Sequence, residues 1–287
     1  MTYKYIDKAG KLAAYLHNMK AAGRDTVALD LEGEFNLHQY GETLCLLQVF
    51  DGQDAAIIDP FKVSLPHLKH FLENRSILKI MYDASGDRAF MYKNYGIDLL
   101  SLLDLQEAVE LLGHEKSDLK SVLKKVLKID DGKSKKKLQK YNWTRRPLDK
   151  SAIEYAVEDV LYLFDLKDRL IPEIVKKGLL DQFILKNLQA QNKPHVYSKV
   201  PKLFSSGRFR SLSDEKQRMF KKLFEIRERY AKSINLPPST VFHNDLLFTL
   251  AEAGTTAGIL RFGKRVPVKM QRRIMEDMKK VFPGRGR

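Results

Sequence analysis

The sequence predicts an α/β domain, a mixed sheet flanked by helices, followed by a small all-α domain. Three features predict it. Short β-like runs follow one another near the start, strand and helix patterns then alternate, and after a polar, proline-bearing break only helical periodicity remains.

The first runs are TVALDLEG, TLCLLQVF and AAIIDP at residues 26–33, 43–50 and 55–60. Aliphatic and β-branched residues fill them, and Asn36, Gly41, Asp51 and Gly52 punctuate the gaps, as in consecutive antiparallel strands. LPHLKHFLEN (65–74) has helical spacing, ILKIMYDA (77–84) reads as a strand, and SGDRAFMYKNYG (85–96) as a helix closed by Gly96. A short strand near LLSLLD follows, and residues 104–191 read as helical throughout. Residues 1–191 therefore form one predicted domain, and residues 192–210, with two prolines and three serines, a linker. Residues 211–287 form the second domain. Its first helix, 213–232, places Phe220, Leu223, Phe224, Tyr230 and Ala231 on one face and Arg218, Lys222 and Arg229 on another. A second helix is expected to be capped by Asn244 or Asp245, and a basic third one spans about 266–282.

The 287 residues are 44% apolar and 30% charged, the make-up of an ordinary globular protein, with no apolar run long enough to span a bilayer. The start, MTYKYIDKAGKL, lacks a secretory pattern, and the single cysteine, Cys45, excludes an intrachain disulfide or a cysteine zinc site. The expectation is a soluble cytoplasmic protein. Its net charge of +15 is unevenly spread. Residues 192–287 hold 22 Lys/Arg against 8 Asp/Glu, whereas residues 1–191 hold 29 against 28. Within the first part, 131–147 carries seven basic groups and one acid, so the rest of that part is acidic. This partition favours a polyanionic partner over a membrane surface.

The acids that matter sit beside apolar segments. Asp30 and Glu32, two apart on a predicted strand, project from the same face, with Ala28, Leu29 and Leu31 around them. Asp87 enters the helix after a second strand, and Tyr155 and Asp159, four apart, share one helical face. Read alone, each has an ordinary explanation: strand-end acids in solvent, a helix-dipole acid, a surface tyrosine beside a solvated carboxylate. Buried carboxylates need compensation, and divalent cations are its usual form.

In order and flank, these residues resemble the DEDD exonuclease superfamily, tyrosine-bearing subclass, in its ribonuclease D branch. Asp30-x-Glu32 matches the first motif, followed by TLCLLQV at 43–49; Lys79 through Asp87 matches the second; Asp104 and Gln106 match an Asp-x-Gln step. Tyr155-x-x-x-Asp159, preceded by WTRRPLDKSAIEYA, matches the third. The C-terminal pattern of Arg227, Ala231, Pro237 or Pro238, Asp245 and Leu246 resembles the helicase-and-ribonuclease-D C-terminal (HRDC) module. Two departures flank Asp87: Tyr82 where histidine is common, and Arg88 where leucine is usual.

The resemblance implies a ribonuclease-H-like sheet and two Mg²⁺ or Mn²⁺ ions, with Asp30 shared, Glu32 and Asp159 serving one ion and Asp87 the other. Tyr155 would orient the attacking water. It implies 3′→5′ hydrolysis that releases nucleoside 5′-monophosphates from tRNA or other small RNA ends, with no obligate protein partner. Single-stranded DNA or very short RNA is the alternative substrate, and a non-catalytic nucleic-acid-binding protein the third reading, opposed by the intact acid set. Phe35 and Leu37 would wedge the terminal bases or simply pack a loop. Lys133, Lys135, Lys136, Lys137, Arg145 and Arg146, with Lys222 and Arg229 in the second domain, are the candidate phosphate contacts, although such a run is more often solvated. Trp143 suits a core anchor as well as a stacking surface, Cys45 a buried hydrophobe, and the seven histidines show no ligand spacing.

The charge partition carries its own test. Deleting residues 205–287 is expected to weaken RNA binding and flatten its salt dependence; equally tight binding at every salt concentration would refute a nucleic-acid role for that segment.

Overall fold

A computed structural model describes residues 2–114, 117–129, 138–194, 200–256, 258 and 260–282. The chain divides into two compact units, one of residues 1–33 and 43–196 and the other of residues 34–42 and 197–287.

The first unit is built on a six-stranded sheet. Its elements are β1 (Lys4–Ile6), α1 (Ala9–Ala21), β2 (Thr26–Phe35), β3 (Glu42–Phe50), β4 (Ala55–Ile58), α2 (Leu65–Leu72), β5 (Leu78–Met81), α3 (Ser85–Tyr95), β6 (Leu102–Asp104) and α4 (Leu105–Leu111). After them come a one-turn α5 (Leu119–Val122), a π-turn (Leu123–Leu127), α6 (Lys150–Leu161), α7 (Leu163–Lys176) and α8 (Leu180–Asn192). Strand order is β1-β4-β3-β2-β5-β6, with β3–β4 antiparallel and β1–β4, β2–β5 and β5–β6 parallel. The mixed sheet is as expected, with two differences. The three-residue β1 is too short to show a pattern, and the described residues between α4 and α6 are only partly helical.

Both faces of the sheet are covered, which is why its strands carry near-continuous apolar runs. Val27, Leu29 and Leu47 pack with Leu12 and Met19 of α1, Phe71 of α2 and Met91 of α3. On the other face Ala28 and Ile80 meet Leu105 and Val109 of α4 and Leu166 and Leu170 of α7, while Leu46 and Ile57 meet Ala152 and Ala156 of α6. Asp30 and Glu32 lie on that second face, in register with Ala28. Cys45 is buried, as expected, its thiol donating to Thr43 O at 3.3 Å. Gly96 closes α3 in the left-handed region, with φ 62°.

Two cations, Lys79 buried and Arg146 half-buried, organise the frame. Lys79 is fully buried on β5 and donates to the carbonyls of Asn74 (2.5 Å) and Leu100 (2.9 Å), tying the strand to the loops at both sides. Arg146 donates to both carboxylate oxygens of Asp59, 2.9 Å each, and to the carbonyls of Cys45 (2.7 Å) and Trp143 (2.8 Å). Tyr5 completes that cluster, donating to Asp59 at 2.7 Å. Burial alone would raise the Asp59 carboxyl, but these donors hold it below the ordinary carboxylate value.

The second unit packs α9 (Gly207–Arg210), α10 (Asp214–Ser233), α11 (Pro238–Val241), α12 (Asn244–Ala253) and α13 (Val268–Lys279) around Phe209, Phe220, Leu223, Phe248 and Ile274. His243, not Asn244 or Asp245, occupies the N-cap position of α12 and makes no side-chain cap. Arg227 is buried and donates to Asn244 Oδ1 at 2.7 Å, joining α10 to the start of α12. Gly263 has no room for a side chain, since a Cβ there would lie 2.0 Å from the Thr240 carbonyl oxygen. Among the described residues no helix is long and apolar enough to cross a membrane.

Lys79 gives the frame a pH signature. Burial pushes its ammonium down from 10.5 to about 8, so the native state binds fewer protons than the unfolded chain between those values. From this group stability rises with pH across that window, by at most about 1.4 kcal/mol per unit. Denaturant titrations at pH 8 and 9.5 should show the rise in wild type and its loss in Lys79→Met; parallel curves would refute it.

Candidate active site

β2 runs between β3 and β5, and its Asp30 and Glu32 point to the face covered by α4, α6 and α7. α6 brings Asp159 onto them. Ligand atoms of Asp30, Glu32 and Asp159 all lie within 4.8 Å of one another, each side chain half-buried. Asp87, in the first turn of α3, stands outside that tight trio, yet its charge acts on both Asp30 and Glu32.

The loop that presents Asp87 is held by Asp104. Its carboxylate accepts from the backbone N–H of Asp83 (2.9 Å), Ala84 (2.8 Å) and Gln106 (3.0 Å). Three main-chain donors on one carboxylate fix Asp83 in the left-handed region at φ 57° and start both α3 and α4. Arg88, the departure beside Asp87, turns to Asp98 (3.3 Å) and to Ala190 O (2.6 Å). Tyr82 donates to Ser117 O at 2.8 Å, and burial raises its hydroxyl to about 12.

Tyr155 is buried on α6, one turn before Asp159, between two supports. Trp143 stacks on it with centroids 6.4 Å apart and planes at 29°, and Lys120 Nζ lies 4.6 Å from its ring centroid. Trp143 is 3% exposed and packs edge-on against Tyr141 at 4.9 Å, so of its two expected roles it takes the core anchor. Asp30, Tyr155 and Asp159 line one cavity of about 530 Å³, together with Tyr82, Asp83, Gln106, Asp118 and Lys120.

This crowding has a clear electrostatic cost. Burial, and then the Asp87 charge, raises Asp30 from 3.8 to about 7. Burial also drives Glu32 well above its usual value, helped by Asp30, Asp159 and Asp87. Asp87 is pushed to about 7 by burial and by Asp83 and Asp104. An all-oxygen set of mutually repelling, desolvated carboxylates fits a hard divalent cation, which would return each acid to its charged form. Asp30, Glu32 and Asp159 can hold such an ion directly, and Asp87 adds charge beside them.

The other expected contacts fare unevenly. Lys133, Lys135, Lys136 and Lys137 lie outside the described residues. Arg145 is exposed. Arg146 is a correction: its guanidinium is committed to Asp59 and to main-chain carbonyls, making it an internal pin and not a phosphate grip. Phe35 and Leu37 are exposed by 54% and 49%. In the second unit Lys222 is exposed, whereas Arg229 pairs with Asp277 at 2.6 Å. Sequence reasoning missed Lys120 and Asp118, whose only signal is a short Ser-Asp-Leu-Lys segment without periodicity.

Known proteins share this architecture. A family model described as 3′-5′ exonuclease matches residues 3–175, and an HRDC domain model matches residues 216–272. The chain is 28% identical over 219 residues to ribonuclease D of Sphingobium indicum, covering 75% of this chain and 55% of that protein. It is 26% identical over 292 residues to the exosome complex component 10 homolog of Caenorhabditis elegans, covering 98% of this chain and 32% of that protein. It thus spans between a third and just over half of these two relatives. The crystal structure of Escherichia coli RNase D, described as an exoribonuclease involved in structured RNA processing, superposes with a TM-score of 0.72. That match covers 98% of this chain and 75% of the other at 22% identity.

Metal linkage tests the site without any assay of turnover. After EDTA treatment, saturating MgCl₂ or MnCl₂ is expected to raise Tm by roughly 5 °C, through binding to the native state alone. Asp30→Asn should melt above wild type in EDTA, because one repelling charge is gone, and should no longer respond to the ions. An unresponsive wild type would refute the metal centre.

Proposed function

The chain belongs to the 3′-5′ exonuclease family, and from that premise we propose that it is a ribonuclease-D-like 3′→5′ exoribonuclease that trims the 3′ ends of tRNA or other small RNAs. The observation that carries this is the convergence of Asp30, Glu32 and Asp159 within 4.8 Å, with Asp87 acting on them and Tyr155 in the same cavity.

Asp30, Glu32 and Asp159 would hold one Mg²⁺ or Mn²⁺, and Asp30 with Asp87 a second. Such ions, when bound, acidify water and neutralise charge on the scissile phosphate. What this chain supplies is placement. β2 and α6 fix the acids from two elements of a packed core, and Asp104 fixes Asp87. Trp143 and Lys120 confine the Tyr155 ring, so its hydroxyl is held to orient the attacking water. Hydrolysis of the terminal phosphodiester then releases a nucleoside 5′-monophosphate.

RNA as substrate is supported by the names of the ribonuclease D relative and the RNase D structure and by the +14 of the last third of the chain. Residues 1–191 serve as the nuclease domain and the segment before α9 as a linker, α9 itself packing into the second unit. Residues 211–287, matched in large part by the HRDC model, serve as an RNA-holding domain with Lys222 among its surface cations. The setting is cytoplasmic.

Asp30→Ala and Asp159→Asn are each expected to abolish hydrolysis of 3′-extended tRNA while binding stays within about twofold, and Tyr155→Phe to lower kcat by about 10²-fold with KM little changed. Gel-based degradation assays of tRNA, short RNA and single-stranded DNA under one condition check this. Unchanged cleavage in the aspartate variants would refute the assignment.

A further inference from the structure

Beyond the acidic cavity lies a second one, of about 340 Å³, lined by Lys120, Ser121, Leu123, Lys124, Ile129, Glu158, Asp159 and Tyr162. It shares Lys120 and Asp159 with the first, so those two residues form the partition between them. Its far wall is made by an unusual backbone. The α-helical turn of α5 gives way to the π-turn Leu123–Leu127, which stops at Lys128 in the left-handed region (φ 61°). The chain then folds back, and the Ile129 N–H donates to Leu123 O at 3.3 Å. That return sets Ile129 beside Leu123 as one apolar wall. π-turns are rare and are often retained where function needs the displaced backbone.

We propose that this second cavity is a nucleotide subsite, in which a base lies against Leu123, Ile129 and Tyr162 while its 5′-phosphate meets Lys120 and Lys124. The inference rests on the exonuclease reading above and deepens it. The volume lies within the range of small-ligand pockets. Aliphatic side chains and a tyrosine offer a base an apolar face, and two primary amines with a hydroxyl in the same lining suit a phosphate. Location narrows the occupant further: whatever fills the cavity lies across Asp159 from the scissile bond. That is the place of a nucleotide neighbouring the cut, either one still in the strand or the monophosphate just released. Lys120 and Asp159 touch both cavities, so a phosphate bound beyond the partition also bears on how the acids and Tyr155 meet the strand.

Lys124 is exposed and lies outside the nuclease machinery, and thermal melting checks that its variants keep the wild-type fold. Lys124→Glu in the full chain, compared with Lys124→Arg and with Lys125→Glu just outside the cavity, separates the possibilities. With a ten-nucleotide RNA, an in-strand occupant is expected to raise KM about fivefold in Lys124→Glu while kcat changes less than about twofold. A released occupant is expected to leave KM unchanged and to weaken inhibition by 5′-AMP by a similar factor. Either result, spared in Lys124→Arg and Lys125→Glu, supports the subsite and identifies its source. If KM and 5′-AMP inhibition both match wild type, the subsite is refuted. Should the wild-type chain prove unable to cleave RNA, the exonuclease reading fails. The cavity is then judged by titrating 5′-AMP and the same RNA into the EDTA-treated chain, where binding that Lys124→Glu leaves unaltered refutes it.

Discussion

Desolvated carboxylates repel one another, and the repulsion among Asp30, Glu32, Asp87 and Asp159 is the constraint that the rest of this fold is arranged to withstand. A single acid in such a place would simply take up a proton. Here burial raises Asp30, Glu32 and Asp87, neighbouring carboxylates add to it, and the site's charge is withheld until cations arrive. To keep them together the chain commits a strand covered on both faces and a helix of the opposing layer. Neither can retreat, because Leu29 and Leu31 on one side, and Ala156, Val157 and Val160 on the other, are fixed in packed cores. Strain of this kind lowers stability locally and is tolerated where function needs it.

The supports around the acids share a logic. Asp104 and Arg146 are charged groups whose partners lie within the fold, so they position without competing for substrate. Asp104 takes three N–H donors from the turn before Asp87 and the start of α4. Arg146 donates to three carbonyls and to both oxygens of Asp59, locking the segment that carries Trp143. Trp143 in turn bears on Tyr155. The path from Asp59 to the Tyr155 ring is thus continuous, through an ion pair, a backbone segment and a ring stack.

Much of this was legible in the sequence. Aliphatic and β-branched runs bounded by turn residues located β2 and β3, and the i, i+4 spacing of Tyr155 and Asp159 placed both on one helical face. What remained hidden depended on partners far along the chain. Arg146 belongs to a basic run and looks like a phosphate contact, yet its partner Asp59 lies 87 residues away and no local pattern announces it. Arg227 likewise sits among surface cations of an amphipathic helix, but points inward to Asn244. The π-turn and the left-handed Asp83 escape because propensity describes regular elements, not departures from them. His243 at the α12 cap is a case where side-chain preference lost to the position of the preceding turn, Pro238–Val241.

Trp143 is the only tryptophan in the chain, and it is buried against Tyr155. Its ultraviolet emission therefore comes from one indole, shielded from water and in contact with the tyrosine of the acidic cavity. The molecule carries its own fluorophore at the place where geometry matters most. Changes in intensity or wavelength report on that helix face alone, with no label and no background from other indoles.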